Sequence, residues 1–118
     1  MTDGEHDAIV ATALDYYEGW FDGEPDRMER ALHPELAKRA LTPERTIDNT
    51  TAEEMVEGTR AGMGKARKPA ELKLQVDVDD VHGSIASARV TSNVYVDYLQ
   101  LVKTDGRWQI LNALWAHA

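Results

Sequence analysis

From Leu72 to Trp115 apolar residues tend to recur at every second position, whereas from Asp7 to Asp22 they recur at every third or fourth. This change of period divides the chain into a helical first half and a stranded second half. The first helix is predicted over residues 7–22. Ile9, Ala13, Tyr16 and Trp20 form one row along it, and Val10, Leu14, Tyr17 and Phe21 form the next. Gly23 is its stop signal, and the acidic, polar residues 1–6 read as a flexible tail. A second, short helix begins at Pro25, where the missing N–H costs nothing, and buries Met28, Ala31 and Leu32. It ends at His33-Pro34, because a residue before proline is pushed out of the helical region. Leu36 to Leu41 fits either a short strand or a helical extension. Thr42-Pro43 breaks it, and Thr46-Ile47 returns as a second short strand. Thr51 followed by Glu54 is a capping box that opens a third helix, with Met55, Val56, Thr59 and Met63 on its buried side. Gly62 and Gly64 end that helix, and residues 65–69 form a basic loop.

The stranded half can be registered residue by residue. Asp105-Gly106 is a two-residue hairpin signal, pairing Leu101 with Ile110, Leu99 with Asn112 and Asp97 with Leu114. A two-residue Ser92-Asn93 turn pairs Val90 with Tyr95, Ala88 with Asp97 and Ala86 with Leu99. A three-residue loop, Val81-His82-Gly83, adds Leu74, Val76 and Val78 to the same face. That face must pack on the helices. The expected architecture is α+β: three helices, then a four-stranded antiparallel meander. The opposite face carries Val96, Tyr98, Leu111, Ala113 and Trp115. An apolar patch turned away from the helices points to a homodimer through the outer face of the sheet.

A chain of 118 residues makes one domain, residues 1–118, with room for a hydrophobic core. Its net charge of −8 repels polyanions, so nucleic acid is not an expected partner. No apolar run reaches the length of a membrane span, and the acidic N-terminus is unlike a signal peptide, so a cytoplasmic protein is expected. Cysteine is absent, no histidines have metal-ligand spacing, and no P-loop, dinucleotide fingerprint or nucleophile elbow is present. Neither a metal nor a cofactor is expected.

Asp97 is the sharpest candidate for chemistry. A carboxylate on the core face is desolvated, which raises its pKa and suits it to acid–base work. The alternative is an Asp97 at the open end of the sheet, solvated or paired with an arginine. Asn112 falls on the same face as its diagonal neighbour, placed to orient a ligand carbonyl or to hold Asp97. Tyr95 adds a polar-tipped wall. The acidic group Asp77, Asp79 and Asp80 reads as a solvated face.

The segments Tyr16-Tyr-Glu-Gly-Trp20 and Gly23-Glu-Pro-Asp-Arg-Met-Glu-Arg-Ala-Leu-His-Pro34 resemble the first two helices of the nuclear transport factor 2-like superfamily. Residues 97–103, 105–110 and Asn112 resemble the last hairpin of its putative lumazine-binding branch, near the SnoaL-like polyketide cyclases. The resemblance implies a cone-shaped, cystatin-like α+β fold, in which a curved antiparallel sheet wraps a cavity closed by the helices. It also implies frequent dimerisation through the sheet. In ketosteroid isomerases of the superfamily a first-helix tyrosine helps form an oxyanion hole. By that analogy of position Tyr16, Tyr17 and Trp20 line the cavity, with Met55, Tyr95, Asp97 and Asn112. His33, at the end of the second helix, either reaches the cavity as a proton shuttle or caps the turn.

Three functions are then open. The first is a small-molecule-binding domain without demonstrated catalysis. The second is an isomerase, dehydratase or cyclase in which Asp97 is the acid or base, Tyr16 or Tyr17 and Asn112 stabilise an enolate, and His33 assists. The third is a protein-interaction module using the outer sheet face.

Overall fold

Asp105 and Gly106 both adopt positive φ, 50° and 80°, which is the type I′ geometry that matches the twist of two paired strands. They join the last two strands of a computed structural model that describes residues 3–118. In chain order the elements are α1 (Asp3–Asp22), α2 (Pro25–Ala31), β1 (Leu32–Leu41), β2 (Ile47–Thr50), α3 (Ala52–Arg60), a 3-10 turn (Lys65–Arg67), β3 (Leu74–His82), β4 (Ile85–Ser92), β5 (Tyr95–Thr104) and β6 (Arg107–His117). The strands form one six-stranded sheet in the order β2-β1-β6-β5-β4-β3. The architecture is α+β, with the helices over one face of a curved sheet, as expected. The meander is extended by two strands, and β1 runs parallel to β6 while every other pair is antiparallel.

Two expectations about the first half are corrected. Helix α1 begins at Asp3, so the part of the expected tail from residue 3 onward is helical, and residues 1–2 lie outside the described residues. Helix α2 stops at Ala31, and Leu32 already pairs with Ile110 in β1. The register between β1 and β6 then jumps, from Leu32 opposite Ile110 to Ala37 opposite Asn112. Residues 33–36 therefore arch out of the ladder. Pro34, which has no N–H to donate, falls where none is needed.

Helix α1 is fixed to the sheet by Ile9, Ala13, Tyr16, Tyr17 and Phe21, all buried, and by Thr12 Oγ1, which donates to the Trp108 carbonyl at 3.2 Å. Arg27 holds α2 to α1 by donating to Asp15 at 2.9 Å and to Glu18 at 2.7 Å. The capping box forms, with Glu54 N–H to Thr51 Oγ1 at 3.1 Å and Thr51 N–H to Glu54 Oε1 at 2.9 Å. After α3, Gly64 passes so close to α1 that a Cβ there would overlap the Trp20 carbonyl.

Two registers differ from expectation, with opposite consequences. Strands β4 and β5 are shifted by two residues, so Val90 faces Asp97 and Ala88 faces Leu99. The turn is wider than a two-residue turn because buried Ser92 organises it. Its Oγ accepts from the N–H groups of Val94 and Tyr95 and donates to the Tyr95 carbonyl. An even shift leaves every side chain on its predicted face. Strands β5 and β6 pair as expected up to Leu101 opposite Ile110, then slip by one, with Gln100 opposite Asn112, Leu99 opposite Ala113 and Asp97 opposite Trp115. Leu111 is the extra residue of a β-bulge, and beyond it β6 turns over. Ala113 is buried at 5% exposure and Leu114 is 54% exposed, the reverse of the prediction.

Candidate functional site

Beyond the bulge Trp115 lies on the helix side of the sheet, directly opposite Asp97, and Val90 flanks Asp97 on the other side. Asp97 is 2% exposed. Its Oδ2 accepts a 2.7 Å hydrogen bond from the Tyr17 hydroxyl, and its Oδ1 a long 3.5 Å one from the Tyr16 hydroxyl. The two tyrosines are consecutive on α1, so both hydroxyls reach one carboxyl from the same turn of helix. From the parallel strand β1, Lys38 donates to the Tyr16 hydroxyl. Its Nζ lies 4.8 Å from the centre of the Tyr16 ring and 5.0 Å from that of Trp115. A chain of polar groups therefore runs Lys38–Tyr16–Asp97–Tyr17 through an otherwise apolar interior.

The surrounding wall is aromatic. Tyr95 stacks on Phe21 at 5.8 Å, meets Trp115 edge-on at 5.1 Å, and accepts from the Trp20 indole N–H at 3.3 Å. The indole N–H of Trp115 is buried without a hydrogen-bond partner among the described residues. Burial sets the electrostatics of the site. It pushes the Asp97 carboxyl above the usual carboxylate range, and the opposing pull of Lys38 and of the two tyrosine hydroxyls does not overcome it. Burial likewise pushes the Lys38 amine below the usual lysine range, against the attraction of Asp97. Tyr16 and Tyr17 are held far above the ordinary phenol range, first by burial and then by the Asp97 charge, so both remain hydroxyls.

Over this chain of groups is a pocket of about 420 Å³, lined from the sheet by Lys38, Tyr95, Asp97 and Trp115 and from the helices by Tyr16, Tyr17, Trp20 and Met55. Arg67 and His117 also line it. Six of the residues singled out from the sequence are thus brought together: Tyr16, Tyr17, Trp20, Met55, Tyr95 and Asp97.

The others are placed elsewhere. His33 is not among the pocket's lining residues, and its Nδ1 accepts the Glu35 N–H at 3.0 Å inside the β1 arch, as a turn cap. Asn112 is turned to the outer face by the bulge, where it donates to Gln100 Oε1 at 3.0 Å. The bulge also moves Ala113 and Trp115 off the outer face, and Leu111 is the bulged residue itself, partly buried. Of the expected interface residues, Val96 and Tyr98 keep the outer face, with Tyr98 57% exposed. Lys38 was not anticipated, although the alternation Leu36, Lys38, Ala40 puts a lysine in an apolar row, a signal that marks it once the segment is known to be a strand. Among the described residues no cluster of three or more His, Cys, Asp or Glu is arranged to hold a metal ion, and no helix is long and apolar enough to cross a membrane.

A family profile described as putative lumazine-binding matches residues 4–116. Aldolase FrzH from a Cladobotryum species is 23% identical over 120 residues, covering 97% of this chain and 92% of the relative. Among solved structures, an NTF2-like protein of unknown function from Shewanella baltica superposes with a TM-score of 0.85 at 18% identity, covering 100% of this chain and 97% of that one. A putative scytalone dehydratase from Novosphingobium aromaticivorans superposes with a TM-score of 0.71 at 15% identity, covering 100% and 89%.

Proposed function

Because the chain belongs to the putative lumazine-binding family of nuclear transport factor 2-like proteins, whose fold encloses this pocket, we propose that it binds a small carbonyl compound there and moves a proton at the adjacent carbon. The observation that carries the reading is Asp97, 2% exposed, bonded to Tyr17 at 2.7 Å and lining a pocket of about 420 Å³. That volume suits a compact organic ligand. A carboxyl pushed up by burial is a stronger base in its ionised form than a solvated one and a usable acid in its neutral form. Lys38, which lines the pocket, supplies a donor for the oxygen on which negative charge develops. The name of the fungal relative, an aldolase, is consistent with this chemistry, since an aldol reaction begins with loss of a proton next to a carbonyl.

The experiment is α-hydrogen exchange of 2-tetralone in deuterated buffer, followed by proton NMR. The protein is expected to accelerate exchange, and Asp97→Asn to abolish the acceleration. Exchange no faster with the native protein than with Asp97→Asn overturns the assignment.

A second reading concerns the partner. Tyr98 and Leu114 are directly paired on the outer face and are 57% and 54% exposed. We propose that this apolar pair seats a second copy of the chain, sheet against sheet.

A further inference from the structure

Lys38 is the one lysine of this chain that the fold treats as a core residue. It is 6% exposed, between Leu36 and Ala40 in the buried row of β1. Lys68 and Lys103 pair with carboxylates, Asp22 at 2.7 Å and Glu5 at 2.9 Å, while Lys65 and Lys73 are exposed. Among the described residues Lys38 makes no such pair. Its nitrogen rests between two aromatic rings with one phenolic hydroxyl as its partner, and it lines the pocket. Burial in such a place costs an ammonium far more than it costs a free amine. A desolvated amine facing an accessible pocket is the arrangement that makes lysine a nucleophile toward carbonyl carbon.

We propose that Lys38 captures an aldehyde or ketone in the pocket covalently, as an imine. The inference rests on the reading above, that the pocket takes a carbonyl compound, and adds to it the residue that forms the bond. Nζ adds to the carbonyl carbon, and the electron pair of the C=O bond moves to oxygen. The oxygen takes the proton of the neutral Asp97 carboxyl, and the nitrogen returns one to Asp97 through the Tyr16 hydroxyl, which leaves the carbinolamine and a neutral Asp97. The nitrogen lone pair then forms C=N as the C–O bond breaks, the oxygen takes the Asp97 proton and leaves as water, and the protonated imine gives its N–H proton back to Asp97 through the Tyr16 hydroxyl. One amine and one carbonyl become one imine and one water, with no oxidant or reductant.

The test is reductive trapping of the native protein with benzaldehyde and sodium cyanoborohydride at pH 7, followed by peptide mapping of all five lysines. Benzylation of Lys38 is expected to be at least about tenfold faster than that of Lys65, Lys68, Lys73 or Lys103, the rate advantage of an amine that burial keeps less protonated than a solvated one. Its rate is expected to rise with pH around a midpoint below that of the exposed lysines, because burial lowers the Lys38 pKa. Labelling of Lys38 no faster than that of the four surface lysines overturns the proposal, and needs no variant that must fold. The two readings fail separately. If trapping fails while the Asp97-dependent tetralone exchange persists, the pocket reading stands and only imine formation falls. If both fail, the pocket reading falls with it.

Discussion

Replacing Asp97 by Asn asks which protonation state the buried Asp97–Lys38 pair holds, and the magnitudes separate the answers. Asn has the size and shape of a neutral carboxyl and keeps an oxygen for the Tyr17 hydroxyl, which now donates at 2.7 Å. If Asp97 is neutral and Lys38 a free amine, the substitution removes little at low pH. The folded-state pKa of Asp97 is raised, so its favourable contribution is complete below the unfolded value near 4 and is lost as pH rises through the folded value. The loss is about 1.4 kcal/mol for each unit by which the pKa is raised. Asp97→Asn cannot titrate, so relative to the native protein it gains stability over that window and then levels off. At pH 8 it is expected to be at least as stable as the native chain. The assay is urea unfolding followed by tryptophan fluorescence at half-unit steps from pH 4 to 8. With an m-value of about 1.5 kcal/mol/M, a gain of 1.4 kcal/mol moves the midpoint by roughly 1 M. A charged pair predicts the opposite. Stranding a buried ammonium costs about 3–5 kcal/mol. A loss of that size at pH 8 would refute the reasoning, and with it the free amine at Lys38.

Three further outcomes follow from the geometry. Tyr17→Phe removes the short donor to Asp97 and is expected to cost about 1–3 kcal/mol in urea unfolding, and to slow tetralone exchange, because a buried acceptor loses its partner. Gly64→Ala is expected to lower stability by about 1–3 kcal/mol or more, since its Cβ meets the Trp20 backbone, which cannot swing aside as a side chain can. A thermal melt indistinguishable from that of the native chain would show that the two segments are not so closely apposed. Leu114→Asp is expected to convert a dimer to a monomer in light scattering at micromolar concentration, and a native protein that is already monomeric rules the outer-face dimer out.

Asp97 was legible in the sequence because the displacement of its own strand, β5, against β4 is even. The Ser92-anchored turn displaces β5 by two residues against β4, and a displacement of two returns each side chain to its own face. Asn112, Ala113 and Trp115 were misplaced because the bulge at Leu111 is an odd error. Nothing in the local pattern announces it. Ile110, Leu111, Ala113, Leu114 and Trp115 are apolar on both parities, so alternation cannot choose a face, and no glycine marks the irregularity. The helices were legible through their spacing and, for α3, through Thr51 and Glu54. The parallel seating of β1 beside β6 was not, because a parallel pair has no turn to set its register. That seating is what carries Lys38 to Tyr16 and closes the polar chain. Of the two places open to His33, the structure shows the turn cap, and the arch at Pro34 keeps it from the cavity.

The most direct test of the central claim is a crystal structure of the protein soaked with 2-tetralone. The account predicts density for the ketone between α1 and β5, with its carbonyl or adjacent carbon within reach of Asp97 and Lys38. A pocket closed by Trp20 and Met55 over Asp97, with the ketone absent or bound elsewhere, would contradict it.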